Sequence, residues 1–148
     1  MIAEKLRQDA VLLRKQLEWL EYSYDACRGI GIRDEYSIDE FGKFETLCSR
    51  YSRGIDFLIR KAFRTIDAYE FENQGTLIDT VNRAHKRGLV ESVDRIRIMK
   101  DIRNTIAHEY IEAALSEVFD EVLESTDTLI GMIRRTADYM DGSLQERV

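Results

Sequence analysis

Not one proline interrupts the 148 residues of this chain. Proline lacks a backbone donor and clashes with the turn before it, so without it helices run on until glycine or a polar cluster stops them. Apolar side chains recur at three- and four-residue spacing along most of the sequence, which is the stripe a helix turns toward a core. A charged fraction of 34% supplies solvated outer faces for such helices. The expectation is an all-α protein, an antiparallel bundle of four to five helices. At this length residues 1–148 fit one helical domain with a core of its own.

Taken in order, Ala3 to about Arg28 forms a first amphipathic helix through Leu6, Ala10, Leu13, Leu17, Leu20 and Tyr24, ended by Gly29 and Gly31. Ser37-Ile38-Asp39-Glu40 reads as a capping box, each side chain satisfying a backbone N–H that the helix start leaves orphaned. A long second helix follows to about Tyr69, with Gly54 a place for a kink or a close helix crossing. Glu72 to Gly75 connect it to a short third helix capped by Thr76 and Asp79, which buries Leu77, Ile78, Val81 and Ala84 and ends at Gly88. Ser92 caps the fourth, running to Tyr110. A fifth, from about Glu112 to Tyr139, carries Leu115, Val118, Phe119, Val122, Leu129, Ile130, Ile133 and Ala137 inward, and residues 141–148 are expected to fray.

The net charge of −6 disfavours unspecific binding to nucleic acid, but its distribution is uneven. Basic residues cluster from Arg83 to Arg103, and the helix after them is acidic from Glu112 to Asp127. A basic groove beside an acidic flank is expected. Cys27 and Cys48 lack metal-type spacing, and neither a leader peptide nor a membrane-spanning segment is expected from this sequence. This predicts a cytoplasmic protein with free thiols, no membrane partner, no metal and no cofactor.

The chemistry concentrates in Arg103-Asn104-Thr105-Ile106-Ala107-His108-Glu109-Tyr110. Each residue of a helix turns about 100°, so Asn104 and His108 share one face, Arg103 and Tyr110 share a neighbouring one, and all four can border a single groove. Met99, Ile102 and Ile106 form the core stripe, leaving Arg97 and Lys100 beside the motif as candidate RNA contacts. Histidine exchanges protons near neutral pH, and arginine offers a fixed planar cation for phosphate oxygens. Together they meet the needs of metal-independent phosphodiester cleavage, with Asn104 one turn before His108 to orient the imidazole. One helix supplies one of each; two copies across a two-fold axis would double the set. The plain alternative is a cationic cap at His108 and an Arg103 paired with Asp101 or Glu109 on a solvated face.

The pattern Arg103-Asn104-x-x-x-His108-x-Tyr110, late in the fourth helix of an all-α chain, resembles the HEPN superfamily, and its fuller form is similar to stand-alone HEPN toxins encoded beside a minimal nucleotidyltransferase. That resemblance implies a homodimer pairing two motif helices and a metal-independent endoribonuclease toxin acting on tRNA or mRNA. By it Arg103 and His108 are catalytic, Asn104 supports them, and Tyr110 is the tyrosine to which the nucleotidyltransferase antitoxin transfers AMP, silencing the toxin. Some members of the group are instead non-catalytic substrate-binding subunits of the nucleotidyltransferase, and a helical adaptor is a third possibility. His85 reads as a boundary histidine, Trp19, Tyr22 and Tyr24 as packing or interface aromatics, and Cys27 and Cys48 as core fillers.

Overall fold

A computed structural model of the chain describes residues 1–72, 74–112 and 114–146. They form α1 (Ile2–Ile30), α2 (Ile38–Phe57), a π turn (Leu58–Ala62), α3 (Phe63–Tyr69), α4 (Leu77–Lys86), α5 (Val93–Glu112), a 3-10 turn (Leu115–Val118) and α6 (Phe119–Glu146). No strand occurs among the described residues, and none of their helices is long and apolar enough to cross a membrane. The fold is all-α, a helical bundle, as periodicity predicts.

The starts and stops follow local chemistry. Ser37 Oγ accepts from the Glu40 amide at 3.1 Å while Glu40 accepts from the Ser37 amide at 2.9 Å. Thr76 and Asp79 repeat the arrangement at α4, and Ser92 Oγ accepts from the Arg95 amide at 3.0 Å. Each box satisfies donors that a helix start leaves without partners. Gly31 closes α1 at φ 78°, a left-handed conformation that a Cβ would oppose. Gly29 is still helical.

α1 lies against α6 and α2, and α5 packs on α2. The expected close crossing at Gly54 is present: a Cβ there would meet Leu129 Cδ2 at 3.2 Å, so α2 approaches α6 where the side chain is missing. α2 continues as α-helix through that glycine. The ladder departs from α-geometry one turn later, where the Phe63 amide reaches back to the Leu58 carbonyl, and Leu58, Ile59 and Ala62 stay buried through the π turn. At the other end of α2, Phe44 stacks on Phe119 with centroids 4.5 Å apart, and Tyr36 and Phe41 meet Phe119 at 5.6 and 5.3 Å. Offset and tilted contacts of this kind add to the area the rings bury.

Four expectations need correction. Ile78 is 66% exposed, because ten-residue α4 turns Thr80, Val81 and Ala84 inward instead. The span expected as one fifth helix is broken, with a 3-10 turn at Leu115–Val118 before α6. The terminal segment does not fray from Asp141: α6 continues to Glu146, with Met140 buried and Arg14 donating to Asp138 and Asp141. Arg147 and Val148 of that tail, like Asn73 of the expected connection, lie outside the described residues. Finally, four cations of the basic run are drawn into ion pairs instead of all standing free along a groove. Arg83 and Arg87 bind Asp67 at 2.9 and 2.6 Å, Arg97 pairs with Asp94 at 3.3 Å, and Arg103 pairs with Asp56.

Candidate functional site

The motif helix is fixed to α2 from beneath. Met99, Ile102 and Ile106 are buried as the spacing predicts, and the buried Tyr51 hydroxyl donates to the Met99 carbonyl at 2.9 Å. Burial pushes the Tyr51 phenol far above its ordinary pKa, so it stays protonated and able to donate. That bond sets the height of α5 on α2 one turn before Arg103.

Arg103 then flanks the buried stripe on the α2 side. Its Nε lies 3.2 and 3.1 Å from the two Asp56 carboxylate oxygens and its Nη2 lies 2.9 Å from Oδ2. The partner is on another helix, neither Asp101 nor Glu109. Two nitrogens of the fork thus face a carboxylate, which fixes the plane of the guanidinium. Both side chains remain more than a third exposed, 36% and 38%, so water and an incoming anion can reach the pair.

The other motif residues divide between faces. Asn104 and His108 are exposed on the outer side of α5. Tyr110, 64% exposed, lines a groove of about 710 Å³ between α2 and α5 with Arg50, Arg53, Ile106 and Ala107. Arg97 and Lys100 border a different and smaller groove of about 280 Å³, between α4 and α5, whose apolar walls include Ile78 and Val81. One continuous groove holding all four motif side chains is therefore not what a single copy presents.

No family model, no curated relative and no solved structure matches this chain. The site has to be read from its own geometry. Among the described residues no cluster of three or more His, Cys, Asp or Glu is placed to hold a metal ion. Cys48, buried behind the α2 and α5 groove, has its thiol pushed up to about 12 by burial, and Cys27 is raised to about 11 for the same reason. Neither carries appreciable thiolate near neutrality, so neither is poised as a nucleophile. His85 is exposed, with Nδ1 3.2 Å from the Val90 carbonyl. Of the three α1 aromatics Trp19, Tyr22 and Tyr24, only Tyr24 packs on the core, while Trp19 is 50% and Tyr22 76% exposed.

Sequence reasoning missed three residues that shape this region: Asp56, Arg50 and Arg53. An arginine beside its own helix's core stripe calls for a carboxylate on the neighbouring helix, but 28 acidic residues offer no basis for choosing one without the fold. Arg50 and Arg53 share the outer face of α2 at three-residue spacing, a detectable pair whose position beside α5 is set only by packing.

Proposed function

We propose that the chain is a HEPN-type, metal-independent endoribonuclease, the toxin of a toxin and antitoxin pair, working as a homodimer whose two α5 helices form one composite site. The observation that carries this reading is the state of α5: it presents a half-exposed Arg103 held in a fixed plane by Asp56, and an exposed His108 five residues on. In the proposed reaction an imidazole takes the proton of a ribose 2′-hydroxyl, the 2′-oxygen bonds to phosphorus, and the bond from phosphorus to the 5′-oxygen breaks. The leaving oxygen takes a proton from the second subunit's imidazole, and a cyclic phosphate remains. The guanidiniums stabilise the charge that builds on the phosphorane oxygens, and Asn104, one turn before His108, supports the site.

Silencing follows from Tyr110. Transfer of AMP from ATP to its hydroxyl by a partner nucleotidyltransferase, with the phenolic proton lost and pyrophosphate leaving, would set an anion in the α2 and α5 groove, where Arg50 and Arg53 lie.

A second reading, a non-catalytic subunit that presents substrate to a nucleotidyltransferase, is favoured by one detail: Asp56 already occupies two nitrogens of the Arg103 fork. Incubating the purified chain with tRNA and mRNA in EDTA separates the two. The ribonuclease cleaves, with a rate that depends on pH near neutrality, and His108→Ala and Arg103→Ala each lose about 10²- to 10⁴-fold. Tyr110→Phe keeps cleavage but escapes silencing when the nucleotidyltransferase is supplied. RNA left intact by the unaltered chain, or cut equally well by His108→Ala, refutes the ribonuclease.

A further inference from the structure

Arg50 stands where grooves of about 710, 210, 490 and 430 Å³ meet, the first between α2 and α5 and the others along α1 and α2. Its Nη1 donates to the Trp19 carbonyl at 2.9 Å and to Ser23 Oγ at 2.7 Å, and its guanidinium lies 5.3 Å from the centre of the Trp19 ring. The arginine and the indole therefore form one fixed shelf. Tyr22 stands three residues on along α1, about 5–6 Å away between Cβ atoms, within reach of neighbouring bases on an unstacked strand. Exposed aromatics held at this spacing beside cations are what a single strand uses, bases on rings and phosphates on the ridge between them.

The charges favour an anionic strand. Arg53 and Lys15 are exposed on the same grooves and, like Arg50, have no carboxylate partner among the described residues. Elsewhere Arg14, Arg87, Arg134 and Arg135 are each matched to an acid. Glu18 and Glu45 lie on the rims, and Asp39 is paired with Lys43 at 3.4 Å. Cations thus outnumber free acids here, on a chain whose net charge is −6. A second copy docking by this face across a two-fold axis would bring two such cation-rich faces together, a repulsive arrangement.

We infer that single-stranded RNA lies across α2 over Arg50 and Arg53, from the Tyr110 groove to a stacking shelf of Trp19 and Tyr22 on α1. This deepens the ribonuclease reading and rests on it only for the strand's being RNA. It adds a track outside the α5 motif. An adenylate on Tyr110 would stand at one end of that track, which links silencing to loss of grip as well as to the chemistry.

Trp19 is the sole tryptophan, so its fluorescence reports this shelf directly. A single-stranded RNA of about ten nucleotides, titrated into the full chain carrying His108→Ala, should quench it saturably. The logarithm of affinity should fall with the logarithm of salt at a slope of about −2, three phosphate contacts at roughly 0.7 each. Arg53→Ala, exposed and unbonded, should flatten that slope by about 0.7 with an unchanged circular dichroism spectrum, and Tyr22→Ala should weaken binding about tenfold. Heparin, which has charge but no bases, should leave the emission unchanged. Equal quenching by heparin overturns the inference. So does a concentration-dependent emission shift with doubled mass in the absence of RNA, which assigns the face to a second copy. Cleavage by the unaltered chain without any Trp19 response removes the track and leaves the ribonuclease standing; quenching without cleavage keeps the track and removes the ribonuclease.

Discussion

Two aspartates hold arginines in this molecule, and they do so in opposite surroundings. Asp67, with 2% of its side chain exposed, accepts from Arg83 and from Arg87, itself 9% exposed, and Arg87 also reaches Glu70 at 3.3 Å. Asp56 accepts from Arg103 where both side chains are more than a third exposed. The first clasp ties α4 to α3. Burial alone would lower the Arg87 pKa, but the Asp67 hydrogen bond and the Glu70 charge raise it instead, so the guanidinium remains charged inside. Asp67 is engaged through its backbone as well: its carbonyl accepts from the Glu72 amide at 2.7 Å, closing α3 while Phe71 takes a left-handed φ of 61°. The second clasp sits at the motif and faces water. The same chemistry thus serves as a staple when dry and as a reachable cation when wet.

The comparison breaks if both clasps respond alike to losing the acid. Asp67→Ala strips Arg83 of its carboxylate and leaves Arg87 only the more exposed Glu70 and Glu72, in a mostly buried site, a loss of about 3–5 kcal/mol. At roughly 2–4 °C per kcal/mol for a chain of this size, the melting temperature should fall by about 10 °C, read by circular dichroism. A drop of only a degree or two would mean that water reaches Asp67 and the distinction is empty.

Asp56→Ala should cost less than about 1 kcal/mol, because exposed pairs gain little over their hydrated parts. The difference between variant and parent should shrink further as salt rises. A loss as large as that at Asp67 would make Asp56 a structural residue and leave Arg103 unavailable to phosphate.

These two sites also mark what could be read from the sequence. The helices, the capping boxes and the buried stripe of α5 follow from rules that act within a few residues, so Ser37, Thr76, Ser92 and Met99 were legible. Asp67 and Asp56 were not. Their partners lie 16, 20 and 47 residues away, and nothing in local spacing selects one acid for one arginine. The same limit made Arg83 and Arg87 look like part of a basic surface when they are folded onto Asp67. It also hid the exposure of Trp19 and Tyr22, since an aromatic at helical spacing looks alike whether its neighbour is a helix or water. The motif residues were legible as a string, but their division between the outer face of α5 and the α2 groove depends on where α2 lies.

The smallest effect concerns carboxylates held first by backbone amides, with arginine a lesser partner, a third setting that sharpens the contrast. The Thr76 amide, then its hydroxyl, holds the Asp79 carboxyl below its ordinary pKa, and the Ser37 amide does the same for Glu40, with Arg33 adding to it. A carboxyl depressed in the folded state contributes stability above the unfolded value, about 3.9 for aspartate and 4.3 for glutamate. That contribution is lost as pH falls through the lower folded value. Followed by nuclear magnetic resonance, the amide protons of Thr76 and Ser37, each donating to the carboxylate three residues on at 2.8 and 2.9 Å, should titrate with midpoints below those ordinary values. Asp79→Asn should abolish the Thr76 transition alone and leave that of Ser37 in place. Midpoints at or above the ordinary values would show that the amide bonds do not bias these exposed groups, and that proximity to arginine, as in the two clasps, is what matters in this fold.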